Sequence, residues 1–261
     1  MNPIKLAWNY LRIGVMNELQ YRVNFFIQLL QTSVALATGL IGLSLVFDQV
    51  DNLAGWTRVE LLAVMGVHIL MGGVIRSAIQ PNMERLMNDV LNGTLDFALT
   101  KPADAQTLVS VREFRFWQLT DVLVGLVVLG VAVAQLQSGM EALQVLAFIA
   151  ALIMGATMLY CVWLMVTSIA FWVIRVSEIV NLFEGLYAAG RWPVGVYPDW
   201  LRTGLTFLVP VAFAVTVPAE AMTNRLTSET MLFAFGLTVF FALLARGVWL
   251  LGLRSYSGAS A

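Results

Sequence analysis

Long apolar runs, each closed by charged residues, dominate the chain. A membrane-spanning helix needs about 20 predominantly apolar residues, and runs of that size extend from about Val23 to Phe47, Leu61 to Ile79, Trp117 to Leu136, Leu143 to Val173 and Met231 to Leu253. Asp48 and Asp51 close the first, Arg76 lies near the end of the second, and Arg112, Glu113 and Arg115 precede the third; Arg175 ends the fourth and Arg254 the last. The stretch from Ser177 to Arg225 has two readings. By hydropathy, one helix runs from Thr203 to Ala219 and the segment from Ser177 to Arg202 stays on the cytoplasmic side. By pattern, a short polar helix over about Ile179 to Val196 crosses outward, and the apolar run after it, broken by Pro210 and Pro218, dips into the outer leaflet and returns. Broken helices at membrane depth are tolerated where protein or a water-filled cavity covers the freed backbone groups. Both readings give about six crossings, and hence an all-α integral membrane protein with a single domain over residues 1–261.

Two shorter patterns are amphipathic. Pro3 can open a helix, after which Ile4, Ala7, Trp8, Leu11 and Val15 share one face and Lys5, Asn9 and Arg12 another, so residues 1–22 are expected to form an interfacial helix. Pro81 likewise can start a helix. Met83, Leu86, Met87, Val90 and Leu91 fall on one stripe, Glu84, Arg85, Asn88 and Asp89 on the opposite face, and Gly93 offers a stop. Gly93 to Pro102 then reads as a short acidic-then-apolar turn, too brief and too charged to cross a bilayer. It reads either as an interfacial ledge tying two spans together or as a docking surface for a soluble partner, the second giving an exposed Leu95, Phe97 and Leu99 patch a reason.

Composition and charge narrow the class. Hydrophobic residues make up 59% of the 261 and charged residues 12%, half the roughly 25% charge of a soluble domain. A net charge of -1 without a basic patch sets nucleic acid aside. Lys5, Arg12 and Arg22 before the first span, and Arg85, Lys101, Arg112 and Arg115 between the second and third, outnumber the single Arg58 of the first loop, so both termini are expected on the cytoplasmic side. The charged N-terminal segment lacks the pattern of a cleavable signal peptide. Cys161 is alone in an apolar run and reads as a small buried hydrophobe.

Chemistry is sparse. Neither Lys5 nor Lys101 follows glycine, so no Gly-Lys-Ser/Thr phosphate loop exists. His68 is the only histidine, which removes a paired-histidine metal site and leaves packing as its expected role. No bound cofactor or metal is expected on this chain. Intramembrane ionisable groups are functional candidates because burying them is costly: Asp121, Glu178, Glu184 and Arg246. Asp121 and Arg246 are close enough to cytoplasmic ends for snorkelling or ion pairing, whereas Glu184 faces a subunit interface or a substrate path if the polar helix crosses. Gly39, Gly42, Gly72, Gly73, Gly125 and Gly130 suit close helix packing. An ion- or proton-coupled transporter or channel acting alone is the rival class, and an intramembrane lipid-modifying transferase using His68, Glu178 or Glu184 a third.

The order of parts resembles the ABC-2 class of exporter permeases. Leu91-Asn92-Gly93-Thr94-Leu95-Asp96-Phe97-Ala98-Leu99-Thr100-Lys101-Pro102 is similar to that family's glycine, acidic residue, two apolars and proline, and Ser110 to Trp117 resembles the start of the third span in an uncharacterised bacterial subgroup. Tyr197-Pro198-Asp199-Trp200-Leu201-Arg202, Val209-Pro210 and Pro218-Ala219-Glu220 resemble the outer loop and re-entrant hairpin, over residues 197–226, before the last span; Val209-Pro210 departs from the family's usual Asn-Pro. The resemblance implies a permease half in a bacterial inner membrane, pairing with a second permease, identical or related, and with separate ATPase subunits that bind ATP and Mg. Residues 80–115 become the cytoplasmic coupling region, with Glu84, Arg85, Asp89, Gly93, Asp96, Phe97, Leu99 and Lys101 meeting the ATPase. Asp121, Glu178, Glu184, Pro210 and Pro218 are then candidates for the substrate path or its gating. The cargo would be a drug, lipid, saccharide or other amphiphile.

Overall fold

The computed structural model describes Arg12, Met16 and residues 22–136, 141–173 and 177–256; the side chains of Arg22 and of residues 177–180 are outside that description. The predicted interfacial helix over residues 1–22 therefore lies, apart from Arg12, Met16 and the Arg22 backbone, outside the described residues. The regular elements described are helices: α1 (Arg22–Phe47), α2 (Arg58–Val74), α3 (Gln80–Leu91), α4 (Asp96–Leu99), α5 (Ala105–Val109), α6 (Leu119–Gln135), α7 (Ala142–Ser168), α8 (Ser177–Ala189), α9 (Asp199–Thr203), α10 (Val217–Met222) and α11 (Ser228–Ser255). Among the described residues, five stretches are long and apolar enough to cross a membrane: Val23–Phe47, Arg58–Leu91, Phe116–Gln135, Ala142–Phe171 and Ser228–Ser255. Asp199–Leu208 and Ala212–Met222, bent by 78° at the break between them, make a sixth when taken as one.

Prolines explain the irregular turns. Each wide π turn, Ile75–Ile79, Gly204–Leu208 and Ala212–Thr216, ends two residues before a proline: Pro81, Pro210 and Pro218 respectively. A proline ring clashes with the carbonyl four residues back and cannot donate to it, and that carbonyl falls inside the widened turn each time. At Pro81 the widening suffices, so the helix runs on from Arg58 to Leu91. The amphipathic helix expected from Pro81 thus forms as α3, with proline in its first turn, and continues directly from α2 through the widened turn. At Pro210 the preceding Val209 goes extended, with φ -123° and ψ 99°, as residues before proline prefer, and the chain breaks. A continuous helix from Thr203 to Ala219 is thereby excluded.

The continuous segment Arg58–Leu91 is the axis of the molecule. In its most apolar window 67% of residues are buried, against 11% for Val23–Phe47 at the periphery. Its 34 residues span about 50 Å at 1.5 Å per residue, well beyond a hydrocarbon core of about 30 Å, so the segment is longer than one crossing needs. At the opposite end, Thr57 caps α2. Its hydroxyl accepts from the Glu60 N–H, and the Glu60 carboxylate accepts from the Thr57 N–H at 2.7 Å. Arg225 donates from Nε and Nη2 to the same carboxylate, each at 2.7 Å, and from Nη2 to the Gly55 carbonyl. The loop before α2 is thus clipped to the chain after α10. We expect Thr57→Ala to cost about 1 kcal/mol, read as a small drop in the thermal midpoint of the purified protein in nanodiscs.

Candidate functional site

The segment between α3 and α6 folds as an elbow. Gly93 takes φ 69°, a conformation that side chains disfavour, and reverses the chain at the end of α3. The Asp89 carbonyl accepts from the Thr94 and Leu95 N–H groups at 2.8 and 3.2 Å. The Asp89 carboxylate accepts from Thr94 Oγ1 at 3.1 Å and from Arg112 Nη2 at 2.7 Å. That ion pair is largely buried, with side-chain exposures of 8% for Arg112 and 16% for Asp89, so Asp89 braces the elbow on both sides. Leu95 and Ala98 are buried beneath α4 whereas Phe97 is 75% exposed and Leu99 37%. The apolar patch expected at Leu95, Phe97 and Leu99 is therefore Phe97 with Leu99 beside it; Leu95 anchors it from below. Asp96 opens α4, and Lys101 is exposed at its far end.

Polar ties lash the returning strand to α3. The Asn82 amide donates to the Glu113 carbonyl at 2.7 Å and accepts the Glu113 N–H at 2.9 Å. Arg85 pairs with Glu113 at 2.8 Å and Arg115 with Glu84 at 2.7 Å. Pro81 has no N–H for the Ser77 carbonyl, and the Arg115 N–H takes that carbonyl at 2.9 Å. The exposed ion pairs contribute little stability individually; together with the buried pair they make residues 80–115 one stiff body. Its far side meets α11, where Arg246 donates to Gln106 at 2.7 Å and to Asp104 at 3.0 Å. The Thr107 N–H, with Arg246 opposite, holds the Asp104 carboxyl below its usual range.

A second polar system lies deeper. Arg76 donates from Nε at 3.0 Å and Nη2 at 2.5 Å to Asp121, whose other oxygen accepts from Gln28 at 3.0 Å and from Thr32. The network joins α1, the π turn after α2, and α6. Asp121 is almost fully buried; ion pairing rather than snorkelling accounts for it. Gln80 donates to both Glu84 at 2.8 Å and Glu184 at 2.7 Å, so the candidate path residue Glu184 on α8 is wired directly to the elbow. A turn along α8, the Tyr187 hydroxyl donates to the His68 carbonyl at 2.7 Å and its ring stacks on the His68 imidazole at 4.7 Å. Glu184 and Tyr187 line a cavity of about 150 Å³ with Arg76, Gln80 and Val209, which brings the bend at Pro210 beside them. Pro218 is buried on α10, away from that group, and Glu178 lies outside the described side chains.

Gln80, Gln28 and Arg112 carry roles that sequence reasoning did not assign. Gln80 stands one helical turn before Glu84, a visible pairing signal; Gln28 and Arg112 gain partners only through the fold. Among the described residues, no group of three or more His, Cys, Asp or Glu side chains is placed to hold a metal ion.

Comparison with known proteins agrees with this plan. A family model described as ABC-2 family transporter protein matches residues 33–260, from within α1 past the end of α11. No curated protein and no solved structure matches the chain. With nearly the whole helical plan inside one family model, this multi-pass membrane chain belongs to the ABC-2 family of transporters, as a permease subunit of an ABC transporter.

Proposed function

We propose that the chain exports an amphiphilic or hydrophobic substrate, driven by a separate cytoplasmic ATPase that grips the elbow through Phe97. The carrying observation is Phe97 itself. A phenyl ring 75% exposed, on a short turn braced by a buried ion pair, is a costly feature without a partner groove. Membrane depth does not explain it, because α3 carries the elbow clear of the hydrocarbon. The excess of Lys and Arg on this side supports a cytoplasmic elbow with both termini on the same face, in a bacterial inner membrane. ATP and Mg belong to the ATPase.

The bracing gives force a route. Displacement of Phe97 moves α3 through Asp89 and Arg112, reaches α11 through Asp104 and Arg246, and reaches α8 through Glu84, Gln80 and Glu184. The π turn at Ile75–Ile79, one residue before Gln80, is where the axis yields. Beside it sits the bend at Pro210; both ends of that bent pair, Asp199 and Glu220, border one groove with Thr230 at the start of α11, which favours a re-entrant hairpin opening to the outer side. A second permease, identical or related, would complete the path, and a switch between inward- and outward-open forms requires two packings of similar free energy.

Phe97→Asp tests this reading. An exposed substitution of this kind changes stability by about 0.5 kcal/mol or less, so the variant should keep the wild-type thermal midpoint. Co-purification of the ATPase and ATP-dependent transport in proteoliposomes should fall about tenfold or more. Unaltered assembly and transport would remove Phe97 from the coupling surface.

A further inference from the structure

A polar cavity of about 280 Å³ opens between α1, α2 and α6, lined by Gln28, Gln31, His68, Arg76, Gln118, Asp121 and Arg191 among others. His68 lies ten residues into α2, about 15 Å from its capped end, at membrane depth, where unsatisfied polarity is expensive, and Arg76, Gln118 and Asp121 line the cavity toward the elbow side. Yet three of the lining groups are unsatisfied. His68 Nδ1 and Gln118 Oε1 are buried with no partner. Arg191 is exposed and makes no hydrogen bond or ion pair among the described residues. Arg76 commits Nε and Nη2 to Asp121 and keeps Nη1 unbonded.

Charge and shape specify the occupant. Arg76 and Asp121 neutralise each other, so Arg191 leaves the cavity with one positive charge, and the cavity offers donors at Arg76 Nη1, Arg191 and, in the tautomer protonated at Nδ1, His68. Gln118 Oε1 offers an acceptor to a headgroup hydroxyl. Leu36 lines both this cavity and an adjoining groove of about 650 Å³, walled mainly by Leu40, Leu43, Leu62, Val127 and Val131, with Arg58 and Gln135 at the end near the start of α2. A polar, cationic chamber and an apolar groove that meet at Leu36 of α1 match a molecule with an anionic head and a hydrocarbon tail.

We infer that this composite cavity binds an amphiphile carrying a phosphate or carboxylate headgroup, with Arg191 and Arg76 on the head and the Leu36 to Val131 groove on the tail. The inference rests on the export reading and narrows its substrate class. The test uses the full chain in nanodiscs of zwitterionic lipid, with dodecyl phosphate as probe and dodecyltrimethylammonium and inorganic phosphate as comparators, read by titration calorimetry. Dodecyl phosphate should bind about tenfold tighter than the cationic amphiphile, and inorganic phosphate should show no saturable binding. Because Arg191 holds nothing else together, Arg191→Gln should retain the thermal midpoint and weaken dodecyl phosphate about tenfold, the loss of one charge-assisted hydrogen bond. Arg191→Lys should recover most of that affinity.

Equal binding of the two amphiphiles, or an unaltered Arg191→Gln, overturns the site. Saturable inorganic phosphate binding as tight as dodecyl phosphate replaces it with a free-anion site and overturns the amphiphile. Since binding is read without any ATPase, Phe97→Asp should leave it unchanged. Lost coupling with intact binding is the failure of one idea, and absent binding with intact coupling the failure of the other.

Discussion

Gly125→Ala should destabilise the protein by about 1–3 kcal/mol, the cost of forcing extra volume into a packed contact, whereas Gly130→Ala on the same helix should stabilise it by up to about 1 kcal/mol. The substitution is chemically identical; only the neighbour differs. A Cβ at Gly125 would stand 2.6 Å from the Leu70 backbone nitrogen, while one at Gly130 meets nothing within 4 Å. The contact repeats along the interface of α2 and α6: a Cβ at Gly73 would be 2.7 Å from the Val122 nitrogen, and one at Gly66 would be 2.9 Å from the Leu129 side chain. As position numbers rise on α2 they fall on α6, so the helices run antiparallel with their backbones almost touching. Lipid tails give helices no hydrophobic reason to associate, which leaves close packing of this kind to hold them. Thermal midpoints of the two variants in nanodiscs, moving in opposite directions, would verify the interface; a common direction would contradict it.

That contrast shows how far the sequence was legible. The span boundaries follow from hydropathy because lipid exposure makes every outward side chain apolar; the expected run from Trp117 to Leu136 forms as Phe116–Gln135, and that from Leu143 to Val173 as Ala142–Phe171. Glycine as a packing residue was legible too, but which glycine was not. Gly73 and Gly125 abut the facing helix while Gly42 and Gly130 face open space, a distinction that depends on helix rotation, and a helix apolar all round does not disclose its rotation. Pro81 was legible as the opening of an amphipathic helix but not as a point of continuity, because the widened turn that joins α3 to α2 has no sequence mark beyond the proline. Leu95 and Phe97 are two residues apart in one apolar turn, and only the fold says that the first is buried and the second presented.

The deep polar residues were legible one by one and illegible as a set. Asp121 stands out in its run, and Arg76 marks the end of another, but they are 45 residues apart in sequence, and no periodicity joins one helix to its neighbour. Glu184 reads as a lone acid at membrane depth; the fold gives it the Gln80 amide, and through it Glu84. What looked like a thin scatter of costly charges is two hydrogen-bonded sets, one running from the elbow to Glu184 and one gathered around Asp121.

Asp121→Ala should be the most damaging substitution among these polar residues. The carboxylate is 3% exposed and accepts from Arg76, Gln28 and Thr32, so its removal strands a guanidinium and leaves Gln28 and Thr32 only each other as partners. Breaking a buried pair from one side costs about 3–5 kcal/mol. Arg76 is itself 41% exposed to the cavity, which holds the expected loss near the lower figure. Removing both charges should be milder than removing one, because neither then remains unpaired: the double variant Arg76→Gln with Asp121→Asn is expected to melt above Asp121→Ala and below the unsubstituted protein. The consequence is also local. α1 is the least buried span, and Gln28 and Thr32 are its polar hold on the helices behind it, so Asp121→Ala should loosen α1 first. Spin labels on α1 and α6 should then report a broadened distance distribution, while a pair on α2 and α6, held by the glycine contacts, stays narrow. Broadening of both pairs alike would mean that the carboxylate supports the whole bundle, and no change in either would mean that packing alone seats α1.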